Sequence, residues 1–113
     1  MAGKQKEDQG LICPRFHRAV EVIGRRWSGA ILRVLQDGPT RFGAFKTAIP
    51  DLSDRLLSER LKELEEFGLI HREVSGDRPV VVTYSLTPQG KALKPALDAL
   101  GEWASKYMRD VPA

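Results

Sequence analysis

The stretch SDRLLSERLKELEEF, from Ser53 to Phe67, decides the fold. Ser53 is a residue that caps helix N-termini, and Leu57, Leu61 and Leu64 recur at the spacing of one helical face with Leu56 alongside. The opposite face presents Arg55, Ser58, Glu59 and Lys62, at i, i+3, i+4 and i+7. Gly68 follows immediately and closes the helix. The result is a helix fixed to a core by leucine on one side, with hydrogen-bonding side chains displayed on the other.

Before this stretch the chain reads as three helices. Pro14 suits an opening turn, and Phe16, Val20, Ile23 and Trp27 recur at helical spacing, interrupted by Gly24. A second helix runs from about Ser28 with Ile31, Leu32 and Leu35 on one face, until Asp37-Gly38-Pro39 stops it. Thr40 is expected to cap a short third helix whose buried stripe is Phe42, Phe45, Ala48 and Ile49, ended by Pro50-Asp51. Beyond Gly68 the period changes. Leu69 to Val74 and Val80 to Leu86 read as two strands separated by Ser75-Gly76-Asp77-Arg78-Pro79, a hairpin with a basic tip. Val80, Val82, Tyr84 and Leu86 share one face of its second strand. Thr87-Pro88 opens a last helix carrying Leu93, Leu97, Leu100, Ala104 and Tyr107, in which Pro95 predicts a kink or break.

Helix, helix, tight turn, helix, hairpin, helix is the layout of a winged helix-turn-helix domain, mainly α with a small β-hairpin wing. In that layout the Ser53–Phe67 helix enters the major groove of DNA, its N-terminal residues meeting base edges. Arg55 is placed for bidentate contact with guanine, with Ser58 and Lys62 beside it. An ordinary solvated helix face explains the same residues when this helix is taken alone. Its charge also argues against full-length insertion. Arg55, Arg60 and Lys62 face five acids, Asp54, Glu59, Glu63, Glu65 and Glu66, a net of −2. The acids gather toward the C-terminal end, so insertion by the N-terminal end resolves most of that conflict. Phosphate contacts are then expected from Thr40, Arg41, Lys46, Ser53 and, at the hairpin tip, Arg78.

Composition is compatible with this reading. The chain of 113 residues suits one domain, and its net charge of +3 is unevenly spread. Between Cys13 and Lys46 seven basic residues stand against Glu21 and Asp37 only. A solubilising surface explains such an excess as well as a polyanion does. Cys13 is the single cysteine, which excludes an intrachain disulfide and fits a reducing cytosol. Residues 1–12 are expected to form a flexible polar leader rather than a secretory signal, and residues 13–113 the domain. No run of roughly 18 apolar residues suggests a membrane span. His17 and His71 lie far apart without carboxylates at ligand spacing, so no metal or other cofactor is expected, and no nucleophile–base pair or phosphate loop supports an enzyme. The expected setting is the cytoplasm.

Ordered elements along nearly the whole chain resemble the HxlR-type helix-turn-helix family. They begin with Cys13-Pro14, Ile23-Gly24-Arg25-Arg26-Trp27 and Ile31-Leu32-Arg33-Val34-Leu35. Gly38-Pro39-Thr40-Arg41-Phe42 and Leu56-Leu57-Ser58-Glu59-Arg60-Leu61-Lys62-Glu63-Leu64 continue the series. Gly68-Leu69-Ile70 with Arg72, and Tyr84-Ser85-Leu86-Thr87-Pro88-Gln89-Gly90, complete it. MarR-like and PadR-like regulators are the nearest competitors, and the Cys-Pro opening with the Gly-Arg-Arg-Trp segment argues against both. The resemblance implies a homodimeric regulator, a repressor before an activator, bound to a palindromic operator of double-stranded DNA. It departs from the family in the wing, where members often carry two or more prolines and an arginine entering the second strand. Here a basic contact rests on Arg78 alone.

The resemblance also favours a dimer seam in which Leu93, Leu97, Leu100, Trp103 and Tyr107 of the last helix (about 88–109) meet Phe16 and Val20 of a partner. Cover for the chain's own core is the competing use of those residues. It implies, too, a redox or electrophile sensor at Cys13, since relatives sense oxidants through a cysteine at this position. Arg15, His17 and Arg18 lie near Cys13 in sequence, and positive charge at a helix start favours a thiolate. A small residue packed at the interface is the alternative. A winged-helix module for protein contacts, with no role on DNA, is the alternative function.

Overall fold

The computed structural model describes residues 13–109. The expected leader and the last four residues lie outside them. Helix α1 spans Pro14–Ile23, with Cys13 in extended conformation before it and the Gly24 amide closing it onto the Val20 carbonyl at 2.7 Å. Helix α2, Ser28–Leu35, buries Ser28, Ile31, Leu32 and Leu35. Between the two, Trp27 sits at φ 76°, a left-handed conformation that costs a non-glycine residue about 1–2 kcal/mol. Ile31 donates its amide to the Trp27 carbonyl at 3.0 Å, so that conformation starts α2.

The segment after Gly38-Pro39 departs from the expected helix cap. Thr40–Arg41 forms a short strand, β1, and helix α3 spans Phe42–Ala48 with Arg41 at its N-cap. Thr40 pairs with Tyr84 across the sheet and its hydroxyl donates to the Gly38 carbonyl at 2.9 Å, so neither its backbone nor its side chain caps α3. Of the expected stripe, Phe45 and Ile49 are buried, Phe42 is half-buried and Ala48 is exposed. Phe45 meets the Tyr84 ring edge-on, centroids 6.1 Å apart. Leu52, in the turn to the next helix, is also fully buried and anchors that turn.

Helix α4 spans Asp54–Glu66, and Gly68 at φ 88° makes the left-handed exit that a side chain would strain. Strands β2 (Ile70–Val74) and β3 (Val82–Leu86) pair antiparallel from Ile70↔Leu86 to Val74↔Val82. The sheet has three strands in the order β1-β3-β2, so the wing is more than a hairpin: β1 ties it to the start of α3. β3 begins later than expected. The Val81 amide donates to the Ser75 hydroxyl oxygen at 3.0 Å, closing the loop, and Val80 is left exposed.

Thr87 then joins three elements. Its hydroxyl donates to the Gly68 carbonyl at 2.7 Å and accepts from the Gly90 amide at 3.0 Å, opening helix α5, Pro88–Lys91. A Cβ on Gly90 would strike the Leu69 carbonyl, so this close approach of α5 to the sheet requires glycine. The chain breaks after α5, and helix α6 spans Lys94–Tyr107 with Pro95 in its first turn, where the missing amide leaves no hydrogen bond unmade. α6 is moored to α2 by Asp98, which accepts from Arg33 at 2.6 Å and Lys94 at 2.7 Å. The Lys94 and Arg33 hydrogen bonds hold the Asp98 carboxyl below its ordinary 3.8. Their contribution is therefore complete above 3.8 and is lost as pH falls through the lower folded value. The core consists of the inner faces of α2, α3 and α4, with Leu69, Ile70, Tyr84 and Leu97 closing it from the sheet and α6.

Candidate nucleic-acid interface

α4 is positioned from both ends and from its middle. At its start the Ser53 hydroxyl accepts the Leu56 amide at 3.1 Å, the capping bond its sequence predicts. Leu57, Leu61 and Leu64 hold one face in the core. Arg60 lies in the same stripe, its side chain only 8% exposed. Its Nε donates to the Arg26 carbonyl at 2.8 Å, and Nη1 lies 3.4 Å from both Glu63 oxygens. Glu63 also meets Arg25 at 3.4 Å. The guanidinium thus pins the middle of α4 to the α1–α2 turn and is removed from any role on DNA. Its position, between Leu57 and Leu64 at helical spacing, is the signal that could have revealed this.

The opposite face is open to solvent. Arg55 is 88% exposed and loosely paired with Glu59 at 3.3 Å, one helical turn on. Ser58 and Lys62 are exposed on the same side. The acid charge that argued against groove insertion is partly answered, because Arg25, from outside the helix, matches Glu63. The surrounding candidates divide. Arg41, at the α3 N-cap, and Arg78, at the wing tip, are exposed, and among the described residues neither has a carboxylate within ion-pair distance. Lys46 pairs with Asp54 at 2.7 Å, linking α3 to the first turn of α4, so it reaches a phosphate only by giving up that partner. Thr40 is a correction: it is buried in the β1 pairing with its hydroxyl already donating, and has no surface to offer a phosphate.

The residues expected at a dimer seam also divide. Phe16 and Val20 on α1, and Leu100, Trp103 and Tyr107 on α6, are large apolar side chains exposed by half or more, with Met108 next to them. Trp103 and Tyr107 stack against each other, 5.8 Å between centroids. Leu97, 7% exposed, belongs to the chain's own core, and Leu93 packs against it. Asp98, beside Leu97, is bonded to Arg33 of α2, and the helix presents its free apolar side only from Leu100 onward.

Cys13 stands half-buried at the N-cap of α1. Two of its three basic sequence neighbours are engaged elsewhere. His17 and Arg18 lie 3.6 and 3.7 Å from Glu21, and Arg18 also covers the Phe67 ring. Among the described residues no three His, Cys, Asp or Glu side chains gather to hold a metal ion, and no helix is long and apolar enough to cross a membrane.

Comparison with known proteins agrees with this architecture. YvaP of Bacillus subtilis (strain 168), described as an uncharacterised HTH-type transcriptional regulator, is 45% identical over 101 residues, 89% of this chain and 94% of its own length. YodB, an HTH-type transcriptional regulator of the same organism, is 41% identical over 96 residues, 85% of this chain and 86% of its own. Its solved reduced form superposes with a TM-score of 0.80 at 38% identity, covering 90% of this chain and all of that one. The redox regulator HypR in its reduced form gives a TM-score of 0.80 at 36% identity, covering 85% of this chain and 94% of that one. The family described as HxlR-like helix-turn-helix matches residues 22–112, nearly the whole domain, and the chain belongs to it.

Proposed function

We propose that this chain is a cytoplasmic, homodimeric transcriptional regulator that reads a palindromic operator in double-stranded DNA through the N-terminal half of α4. The observation that carries the reading is the combination on that helix: a leucine-and-arginine face fixed in the core, and Arg55 standing 88% exposed on the other side with Ser58 and Lys62. Arg55 and Ser58 read base edges, with Lys62 one turn further along. Arg41, Arg78, Lys46 and the first turn at Ser53 contact phosphates and fix the register. Repression follows when the operator overlaps a promoter. The direct experiment is fluorescence anisotropy with a duplex from upstream of the gene and a scrambled duplex, over a salt series. Binding to the native duplex that falls steeply with salt is expected; equal weak binding of both, or none at low salt, contradicts it.

The exposed apolar surfaces of α1 and α6 form the dimer seam. Monomeric proteins rarely leave such large side chains together in water. Trp103→Asp is expected to convert the dimer to monomer in analytical ultracentrifugation, weakening association by about two orders of magnitude or more, since a buried aromatic anchor contributes at least ~2 kcal/mol and its carboxylate replacement must be desolvated. A twofold dimer sets its two α4 helices roughly 34 Å apart, one turn of DNA.

Cys13 is the proposed oxidant sensor. The N-cap position of the residue and the description of a solved relative as a redox regulator support this. Two Cys13 thiols, one per protomer, give two electrons and two protons to a diazene oxidant such as diamide and form an S–S bond. Diamide is expected to weaken operator binding of the wild type, and Cys13→Ser to abolish that response while leaving reduced-state affinity within about twofold. A Cys13→Ser protein that still responds to diamide overturns the assignment, since no other cysteine is present.

A further inference from the structure

We propose that Asp54 is a specificity-determining residue: its carboxylate holds Lys46 in the free protein and gives it up to a phosphate only where a cytosine amino group in the major groove takes the place of Lys46. The inference rests on the reading of α4 as the helix that enters the groove. Asp54 is the first residue of that helix, next to Arg55, and accepts a hydrogen bond from the Lys46 ammonium of α3 at 2.7 Å. The Asp54 side chain is 76% exposed and that of Lys46 33%. The carboxylate is the open member of the pair, at the leading end of the helix.

An acid at that end is unfavourable in itself, because phosphates repel it. The other acids of α4 lie from Glu59 onward, and Glu59 and Glu63 have arginine partners. Non-specific duplex is bound at a double disadvantage: a carboxylate stands near the backbone, and Lys46 is occupied. If Lys46 leaves for a phosphate, the carboxylate is left without a partner beside the DNA, which is unfavourable unless a base supplies a donor. A carboxylate only accepts hydrogen bonds. Guanine and thymine carry acceptors and a methyl group on their groove edges but no donor, so neither serves it. Adenine sets its N7 acceptor beside its amino group, against the second carboxylate oxygen, whereas cytosine presents its amino donor alone. Asp54 therefore selects cytosine at a position distinct from the guanine read by Arg55, and only there does Lys46 add a phosphate contact. An acid in the first turn also complements the helix dipole. That use by itself predicts an effect on stability and none on base preference.

The test is selection of duplexes from a random library by wild type, Arg55→Ala and Asp54→Asn, followed by anisotropy on the selected and a scrambled duplex over a salt series. Asparagine keeps the size of the side chain, removes the charge, and suits the N6 and N7 edge of adenine. Wild type is expected to enrich cytosine at one position of each half-site besides the guanine. Asp54→Asn is expected to change that cytosine to adenine and keep the guanine. It should also bind scrambled duplex about tenfold more tightly and steepen the salt slope there by about 1.8, for two added phosphate contacts per dimer. Adding Lys46→Gln should reverse the steeper slope and most of the gain, since the slope requires the freed ammonium. No cytosine preference in wild type, cytosine retained by Asp54→Asn, or unmoved affinity for scrambled duplex each overturns the proposal, and guanine lost in Arg55→Ala then leaves the α4 reading standing. Guanine undiminished in Arg55→Ala removes both.

Discussion

Replacing Arg41, Arg55 and Arg78 together with alanine is expected to reduce operator affinity by about 10³-fold or more while leaving the fold intact. Losing a bidentate guanine contact removes about 1–3 kcal/mol of discrimination, and a dimer loses it twice. Arg41 and Arg78 account for four phosphate contacts per dimer, so the slope of log affinity against log salt should flatten by about 3.6. Stability should move by no more than about 0.5 kcal/mol, because all three side chains are exposed and only Arg55 has a partner, Glu59 at 3.3 Å on the surface. The two effects separate by position: Arg55→Ala alone should reduce preference for operator over scrambled duplex, whereas Arg41→Ala and Arg78→Ala should weaken both duplexes alike. Anisotropy over a salt series measures all of this. Unaltered affinity in the triple variant would remove the basis of DNA binding and leave a winged-helix module for protein contacts.

Arg60→Met is expected to be the most destabilising change among the charged residues, costing about 2–4 kcal/mol in chemical denaturation at fixed protein concentration. Methionine keeps the length and apolar stem, so no large cavity opens. What is lost is the donor to the Arg26 carbonyl at 2.8 Å and the cation facing Glu63. A buried polar group left without its partner costs about 1–3 kcal/mol, and breaking a buried ion pair by removing one member about 3–5. The sum is discounted here because Glu63 is partly exposed and keeps Arg25 at 3.4 Å. Arg60→Lys should recover only part of the loss, since a single ammonium cannot serve a carbonyl from one edge and a carboxylate from another. A methionine variant within about 0.5 kcal/mol of wild type would mean that the leucine stripe alone fixes α4.

What could be read from the sequence was local. The Ser53 cap, the Leu57–Leu61–Leu64 stripe, the Gly68 stop and the Thr87-Pro88 start each depend on a few neighbouring residues, and each forms as the pattern implies. The break before α6 follows from Pro95 in the same way. Features set by distant partners were not legible. Thr40 reads as a cap because nothing nearby reveals that Tyr84 will claim it as a strand residue. Arg60 sits at helical spacing between Leu57 and Leu64, but charged residues seldom enter cores, and only the Arg26 carbonyl, brought in by the α1–α2 turn, makes its burial favourable. Leu97 and Leu100 look alike in the α6 pattern. Their division between core and exposed face depends on where the core lies in space, with Leu97 in it and Leu100 outside it, which the α6 pattern alone does not contain. The left-handed Trp27 has no sequence signature either, since an aromatic residue is a poor choice for that conformation.

The measurement that bears most directly on base reading by α4 is selection of duplexes from a random library by the wild-type protein and by Arg55→Ala. The wild type is expected to enrich a palindrome with half-sites about 10 base pairs apart, bound about 10³-fold or more tightly than a scrambled duplex. Arg55→Ala should lose the preference for guanine at one position of each half-site and keep the rest. No enriched sequence from the wild type, or the same enriched sequence with undiminished guanine preference from Arg55→Ala, would contradict the account.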